Sequence, residues 1–560
     1  MTKISNDQNN KHMHFLPLGG SGEIGMNLNL YEFAGKWLMI DCGITFEHDL
    51  GIEVITPDPT FIVERKKDLV GLVVTHAHED HVGAIPYLYQ KFKCPIYATP
   101  FTMGMVKRKL KDVGLLDQAE LHEISLTGKF SIEPFDLEYV TLTHSIPEPN
   151  GLAVTTEAGT VFHTGDWKID PTPLIGDETD VKRLKEIGKE GVLALVCDST
   201  NALVAGRAGS EKQVREAMDN LVQEQTGRVV VACFASNIVR VETAALAAQK
   251  NGRKVALVGR SLFRMVEIAK DVGYLRDLPP FISLDEAMSL PKERVMMICT
   301  GSQGESRAAL TRIAMGSHPG ARLSAGDTVI FSSRMIPGNE ESIHRVHMEL
   351  EGRDIDVITT EDTFIHVSGH PSREDLTDMH NWVTPDALIP VHGEYRHMRA
   401  HAKLGEANGI KHSYVPSNGH LVRLEKGKAP KLVEEVHSGY MALDGQDLVP
   451  LTSTHLSERE MLKNTGSLFI TLIVGAKAKL VAPPQVTLFG VVQGDRVNAV
   501  TEGVKQGIDE ALETTRNRGH SDDNVKVREA VRHQVRQVVG SHVGKKPMIG
   551  VHVVRIKGKK

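Results

Sequence analysis

The segment Gly-Leu-Val-Val-Thr-His-Ala-His-Glu-Asp-His at 71–81 constrains this chain more than any other. The apolar run 71–74 reads as a buried strand, and it leads straight into His76, His78, Asp80 and His81. Strand alternation puts His76, His78 and Asp80 on one side as the chain leaves the sheet. A helix or turn opening at 82–84 then swings His81 back beside Asp80. Three imidazoles and a carboxylate within six residues suit Zn2+ or Mn2+. So tight a cluster cannot by itself fill two metal shells, and distal ligands are expected. His144, Asp166 and His392 qualify, because each stands where a strand-like run (137–143, 160–163, 387–391) gives way to a loop.

Around these residues the chain changes rhythm. Its first 200 residues are dense in short β-like runs with glycine punctuation, as in a β-rich sandwich with peripheral helices. After Ser210, helical patterns at 211–224, 238–250, from 262, after Gly304 and at 340–350 alternate with apolar strands at 228–233, 254–258, 295–299 and 328–331. That alternation predicts a parallel βαβ sheet buried on both faces. The chain leaves this region around 355–358, and from there to about 438 it is rich in His, Gly and short strands. A tail follows with strands at 467–474, 485–492 and 549–556 and helices at 499–516 and 524–539, a small α+β module.

Composition excludes several classes. With 41% hydrophobic and 24% charged residues the chain is neither disordered nor fibrous. No apolar run reaches membrane-spanning length, and the polar stretch at 1–15 has no signal core, so a cytoplasmic, non-membrane protein is expected. Five scattered cysteines without a C-x-x-C read as buried thiols. Residues 451–560 carry 18 Lys and Arg against 10 Asp and Glu, whereas the remaining 450 residues carry 47 against 61. A basic tail on an acidic body fits contact with a polyanion, or simply a solvated face.

THAHEDH, His144, TGD at 164–166 and the distal VHGE at 391–394 together resemble the metallo-β-lactamase superfamily. The interrupting βαβ region, with HVSGH at 366–370 and IPVHGE at 389–394, resembles its nucleic-acid-processing β-CASP branch. The layout is similar to the bacterial ribonuclease J family. GGSGEIGMN at 19–27, CDSTN at 197–201, FASN at 234–237, GSQGE at 301–305 and IPGNE at 336–340 add to the likeness. The resemblance implies an αββα metallo-β-lactamase sandwich (1–209 and 361–447), an inserted β-CASP domain (210–360) and a C-terminal α+β domain (448–560).

It further implies two divalent ions, Zn2+ or Mn2+. His76, His78 and His144 would hold one, Asp80, His81 and His392 the other, and Asp166 would bridge them. Asp41 would orient the metal histidines, the alternative being a turn-capping Asp. His370 is the implied general acid, with Asp198 orienting a histidine of the site. His366, Ser368, Gly369 and His370 form a plausible phosphate cradle, or a turn that merely supports His370. Phe234 is a base-stacking candidate and Ser236 a neighbouring RNA contact, with core packing the alternative for Phe234. The loop 301–305 reads as a tight turn, since no G-K-[ST] follows it. His344 and His347 read as surface or interface residues. The implied activity is 5′-to-3′ exonuclease and endonuclease cleavage of single-stranded RNA bearing a 5′ monophosphate, in rRNA processing and mRNA decay. The roughly 150-residue insertion suits a polymer threaded between two lobes. A DNA-acting β-CASP nuclease and a catalytically silent RNA-binding scaffold are the alternatives. A small-molecule hydrolase is disfavoured by the insertion and tail. Self-association of the C-terminal module predicts a homodimer or homotetramer.

Overall fold

The computed structural model describes residues 11–46, 50–336 and 338–556. Most of the polar amino-terminal stretch, and Pro337 of the 336–340 motif, lie outside them. The β-runs of the first 200 residues, with strands contributed from beyond the insertion, form two sheets. One has eight strands in the order Lys431–Glu435, His420–Leu424, Met13–Gly19, Leu28–Phe33, Lys36–Ile40, Leu69–Val73, Ile96–Ala98, Leu121–Glu123. The other has seven: Lys129–Ile132, Phe135–Thr141, Asn150–Thr156, Gly159–His163, Val192–Asp198, Ala387–Val391, His412–Ser413. Phe15, Tyr31, Leu38 and Val73 of the first meet Tyr139, Leu152, Val161 and Ile389 of the second in one buried core. Helices Val181–Glu190 and Arg373–Val383 cover the second sheet's outer face through Leu184, Ile187, Leu376 and Met379. Helices Ile85–Phe92 and Pro100–Asp112 lie on the side of the first. This is an αββα sandwich.

The insertion is a five-stranded, all-parallel sheet ordered Lys254–Val258, Val295–Cys299, Val229–Ala232, Thr328–Phe331, Asp356–Ile358. Its strands are apolar throughout because both faces are covered. Val229 and Val231 pack with Val241, Ala244 and Met265, while Val230 and Ala232 pack with Leu310, Ile313 and Val346. Ala77, Phe101 and Ile146 of the sandwich share the first of these cores, so sandwich and insertion form one compact unit. A second unit begins at Ala442 and takes in residues 50–53. In it, Ser467–Val474 runs antiparallel to Gln485–Phe489 and parallel to Met548–Arg555. Helices Arg496–Asn517 and Asn524–Val543 bury Val504, Ile508, Val531 and Val535 against one face of that sheet.

Three elements differ from the sequence reading. Asp356–Ile358 is a fifth strand of the inserted sheet, not the exit from it; as a half-exposed edge strand it carries charge that hides its pattern. The 361–447 stretch contains the helices Arg373–Val383 and Tyr395–Ala407, which its pattern conceals because His380, His397 and His401 sit on their buried faces and break the apolar periodicity. Helix Thr454–Thr465 buries little beyond Leu456 and leaves almost no amphipathic trace. All five cysteines are buried and unpaired. Among the described residues no helix is long and apolar enough to cross a membrane.

Candidate metal centre

Leu69–Val73 ends three residues before His76, and the helix that follows opens at Glu79 instead of 82. Asp80 therefore sits in a first helical turn, not on an extended strand, with His78 at the position before it in extended conformation. The helix turns His81 inward, where it is buried. Gly43 lets the Asp41 loop pass under this turn, since a Cβ there would lie 1.7 Å from the Asp80 carbonyl oxygen. His144, Asp166 and His392 follow the strands Phe135–Thr141, Gly159–His163 and Ala387–Val391.

These seven side chains converge into two groups: His76, His78, His144 with Asp166, and Asp80, His81, His392 with Asp166. His78 Nδ1 lies 3.0 Å from both His76 Nε2 and His144 Nε2. Asp166 Oδ2 is 3.3 Å from His81 Nε2 and 3.9 Å from both His76 Nε2 and His144 Nε2. His392 Nε2 lies 3.1 Å from Asp80 Oδ2.

The outward ring nitrogens of His76, His81, His144 and His392 are held by oxygens, which fixes how the inward ones point. His81 Nδ1 donates to Asp41 Oδ2 at 2.7 Å. His76 Nδ1 is 3.1 Å from Thr75 Oγ1, which donates to Asp41 Oδ2 at 2.9 Å. Asp41 also accepts the Thr75 amide, so one carboxylate aligns two histidines. His144 Nδ1 donates to the Gly369 carbonyl at 2.5 Å, and a Cβ on Gly369 would meet that imidazole at 2.6 Å. His392 Nδ1 is 2.9 Å from Thr200 Oγ1, which donates to Asp198 Oδ1 at 2.7 Å. Asp198 Oδ2 accepts from His370 Nδ1 at 2.8 Å, and that nitrogen is 3.8 Å from Asp166 Oδ2.

Charge follows this geometry. Burial drives His76 and His144 well below the ordinary imidazole value and His78 down to about 4, leaving lone pairs to offer. Burial also opposes charge on His81 and His392, but Asp166, with Asp80 beside both, outweighs it and holds them well above that value. Burial opposes ionisation of Asp80, Asp166 and Asp198, yet the facing histidines hold all three below the usual carboxylate range. Asp198 likewise keeps His370 above its ordinary value against burial.

The donor set fits divalent metal. A tetrahedral ion with Zn–N of about 2.0–2.1 Å sets neighbouring nitrogens roughly 3.3 Å apart, close to the spacing around His78 Nδ1. Asp166 Oδ1 is buried without a hydrogen-bond partner, an acceptor that a cation would satisfy.

The remaining sequence candidates are placed less uniformly. Ser368 Oγ accepts from Asn201 Nδ2 at 2.7 Å and from the His370 amide at 3.2 Å. The backbone cradle expected at 366–370 is thus partly used internally: that amide is taken and the Gly369 carbonyl faces His144. His366 Nδ1 has no hydrogen-bond partner, and burial, then the cations Arg240, Lys168 and Arg334, keep the ring far below its ordinary value. Phe234 and Ser236 are half-buried beyond the strand Val229–Ala232, outside the metal groups. His344 is exposed, and His347 packs on Phe331. The loop at 301–305 closes as a turn from Gly301 to Gly304. The supports Thr75, Thr200, Asn201 and Arg334, whose Nη1 donates to Asn201 Oδ1 at 3.0 Å, escaped the sequence reading. Thr200 and Asn201 stand in the CDSTN motif; Arg334 carries no signal beyond following an apolar strand.

Sequence family models match in chain order: the metallo-β-lactamase superfamily over residues 27–230, the ribonuclease J β-CASP domain over 226–350, the Zn-dependent metallo-hydrolase RNA specificity domain over 354–416, and the ribonuclease J C-terminal domain over 454–556. With the fold and the His/Asp cluster, they define a metal-dependent hydrolase of the metallo-β-lactamase superfamily with a β-CASP insertion. The ribonuclease J of Sinorhizobium meliloti is 40% identical over 549 residues, 97% of each chain. That of Mycolicibacterium smegmatis is 36% identical over 96% of each chain, and that of Thermus thermophilus 33% identical over 96% of this chain and 94% of the relative. The chain belongs to the ribonuclease J family. A crystal structure of a protein of unknown function from Enterococcus faecalis shares the fold at TM-score 0.53 and 16% identity, over 74% of this chain and 100% of that one.

Proposed function

We propose that this chain is a two-metal ribonuclease that cleaves single-stranded RNA both from its 5′ end and internally. The observation that carries the reading is the sharing of Asp166 by two complete groups of donors. His76, His78 and His144 would hold one ion, Asp80, His81 and His392 the second, and Asp166 would join them; Zn2+ and Mn2+ both suit these ligands. Ions held there would make water nucleophilic at neutral pH and neutralise charge on the scissile phosphate. The chain's residues supply the rest. Asp80, at the rim of the cluster, takes the proton that the attacking water loses. His370, whose protonated form the Asp198 carboxylate favours, gives its proton to the departing 3′ oxygen as the P–O bond breaks. The new 5′-phosphate end is then a substrate for the next cut.

Preference for a 5′ monophosphate rests on the 366–370 segment. Ser368 stands two residues before the proton donor, and the exposed Arg334, hydrogen-bonded to the Asn201 that holds Ser368, brings positive charge beside this segment; Lys168 and Arg240 are buried against Asp170 and Glu211. Phe234 and Ser236 are the neighbouring contacts for the terminal base. The division at 209/210, 360/361 and 447/448, a cytoplasmic location, and roles in rRNA processing and mRNA decay belong to the same reading. So does self-association. The open face of the C-terminal sheet exposes Phe469, Phe489 and Val554, an apolar surface suited to a second copy.

The test uses a single-stranded RNA labelled at its 3′ end, in 5′-monophosphate and 5′-triphosphate forms, with metal-loaded protein. Stepwise shortening of the monophosphate form, abolished by chelator and by His76→Ala, is expected. Intact RNA under both Zn2+ and Mn2+ would overturn the reading, and cleavage of DNA alone would redirect it to a DNA nuclease.

A further inference from the structure

The inserted sheet carries a crevice, of about 740 Å³, at the carboxyl ends of its strands Lys254–Val258 and Val295–Cys299. Open α/β sheets bind ligands outside the carboxyl ends of their strands, most often where the strand order reverses, which here falls between Val229–Ala232 and Thr328–Phe331 and not at this crevice. Arg260, Arg264, Arg307, Arg312 and His318 line it, with Glu305 as the single acid. Arg264 is held by Asp112 at 3.1 Å, whereas Arg260 and Arg312 are exposed. The helix Arg260–Asp271 starts at this wall, and its cap is Gly259, which offers no side-chain acceptor to the first amides. Phe263, in the same first turn, is half exposed and lines the crevice between Arg260 and Arg264. Arginines flanking an accessible aromatic ring inside a groove are the chemistry of single-stranded nucleic acid: guanidinium groups for phosphates, a ring face for a base. A small apolar metabolite has no use for that charge, and a protein surface would not need the groove.

The crevice is joined to the metal centre. The loop after Cys299 supplies Thr300, Glu305 and Arg307 to its wall. From the same loop, Gln303 Nε2 donates to the Arg334 carbonyl at 2.9 Å and Gln303 Oε1 accepts the Ile336 amide at 3.0 Å. Arg334 in turn reaches Asn201, which holds Ser368 and the His370 carbonyl. We propose that this crevice is an accessory RNA subsite, holding a phosphate and a stacked base of the strand at a distance from the cut. The proposal rests on the ribonuclease reading and extends it to how long substrates are gripped.

The test compares the full chain with the variants Arg260→Glu/Arg312→Glu and Phe263→Ala, each in the cleavage-blocked His76→Ala background. Fluorescence anisotropy measures affinity for a 20-nucleotide and a 4-nucleotide RNA across a salt series. Expected is at least a tenfold loss for the 20-mer, a salt dependence shallower by about one to two released ions, and little change for the 4-mer. The single Phe263→Ala change, which leaves charge alone, is expected to weaken the 20-mer without altering the salt slope. Unchanged 20-mer affinity overturns the subsite, and so does equal weakening of both lengths. A mononucleotide that binds stoichiometrically in calorimetry while the variants keep full RNA affinity also overturns it, in favour of a nucleotide pocket. If the unmodified site binds no RNA of either length, the ribonuclease reading itself has failed.

Discussion

Asp41 is buried under the metal centre and touches no position where RNA could lie. Its two oxygens nevertheless align His81 directly and His76 through Thr75. Replacing it with Asn exchanges an acceptor for a donor beside His81 Nδ1 and turns that ring's preference. Asp41→Asn is expected to keep the fold and lose about 10–100-fold in metal affinity, measured by equilibrium dialysis with metal analysis; undiminished affinity would count against the orienting role. At this scale the sequence was most readable where chemistry is rare. Three imidazoles and a carboxylate within six residues declare themselves, and His144, Asp166 and His392 follow from strand ends. The hydroxyls of Thr75 and Thr200 do not, because threonine at the end of a strand is common whether or not a histidine leans on it.

Arg240 ties an inserted-domain helix to the segment that leads to His366 and His370. It is fully buried in the first turn of Ile238–Lys250. It forks onto both oxygens of Glu211 and donates to the carbonyls of Ser332 and Ile365. The last of these anchors the segment that runs on to His366 and His370. Arg240→Met strands Glu211 as a buried unpaired charge and is expected to cost about 3–5 kcal/mol in urea unfolding, with part restored by adding Glu211→Gln. The helices Arg373–Val383 and Tyr395–Ala407 meet through His380 Nε2 and His401 Nε2 at 3.0 Å. Burial pushes His380 down to about 4 and His401 well below the ordinary value. Unfolded, both titrate near 6.5, so between pH 6.5 and 4 the unfolded chain binds more protons and stability falls as pH falls. The His380 contribution, present in full above 6.5, amounts to about 3 kcal/mol. His380→Gln/His401→Gln is expected to lose less stability than the parent over that window in urea titrations at successive pH values; parallel losses would count against the pair. The same histidines explain why these helices were missed, since buried imidazoles replace the leucines that would have marked their inner faces. The inserted βαβ sheet was legible almost strand by strand, because double-sided burial leaves uninterrupted apolar runs.

For the whole molecule, the sharpest expectation concerns the C-terminal sheet. Phe469 and Phe489 stand 6.3 Å apart on its open face. Phe469→Asp/Phe489→Asp is expected to lower the mass seen by light scattering to that of a single chain while preserving the far-ultraviolet spectrum, and an unchanged mass would remove this face from the assembly. The chain order of the metal donors bears on the life of the protein before it is finished. His81 and His392, which would hold the same ion, are separated by about 310 residues, because the inserted sheet lies between them. At a synthesis rate of about 5–20 residues per second, roughly 15–60 s pass between making one and making the other. Throughout that interval the nascent chain, still tethered through the ribosome to its own message, lacks the last donor of its second group. An enzyme proposed to cut RNA is thus assembled beside RNA in an incomplete form, and its centre closes only once the chain has grown past residue 392.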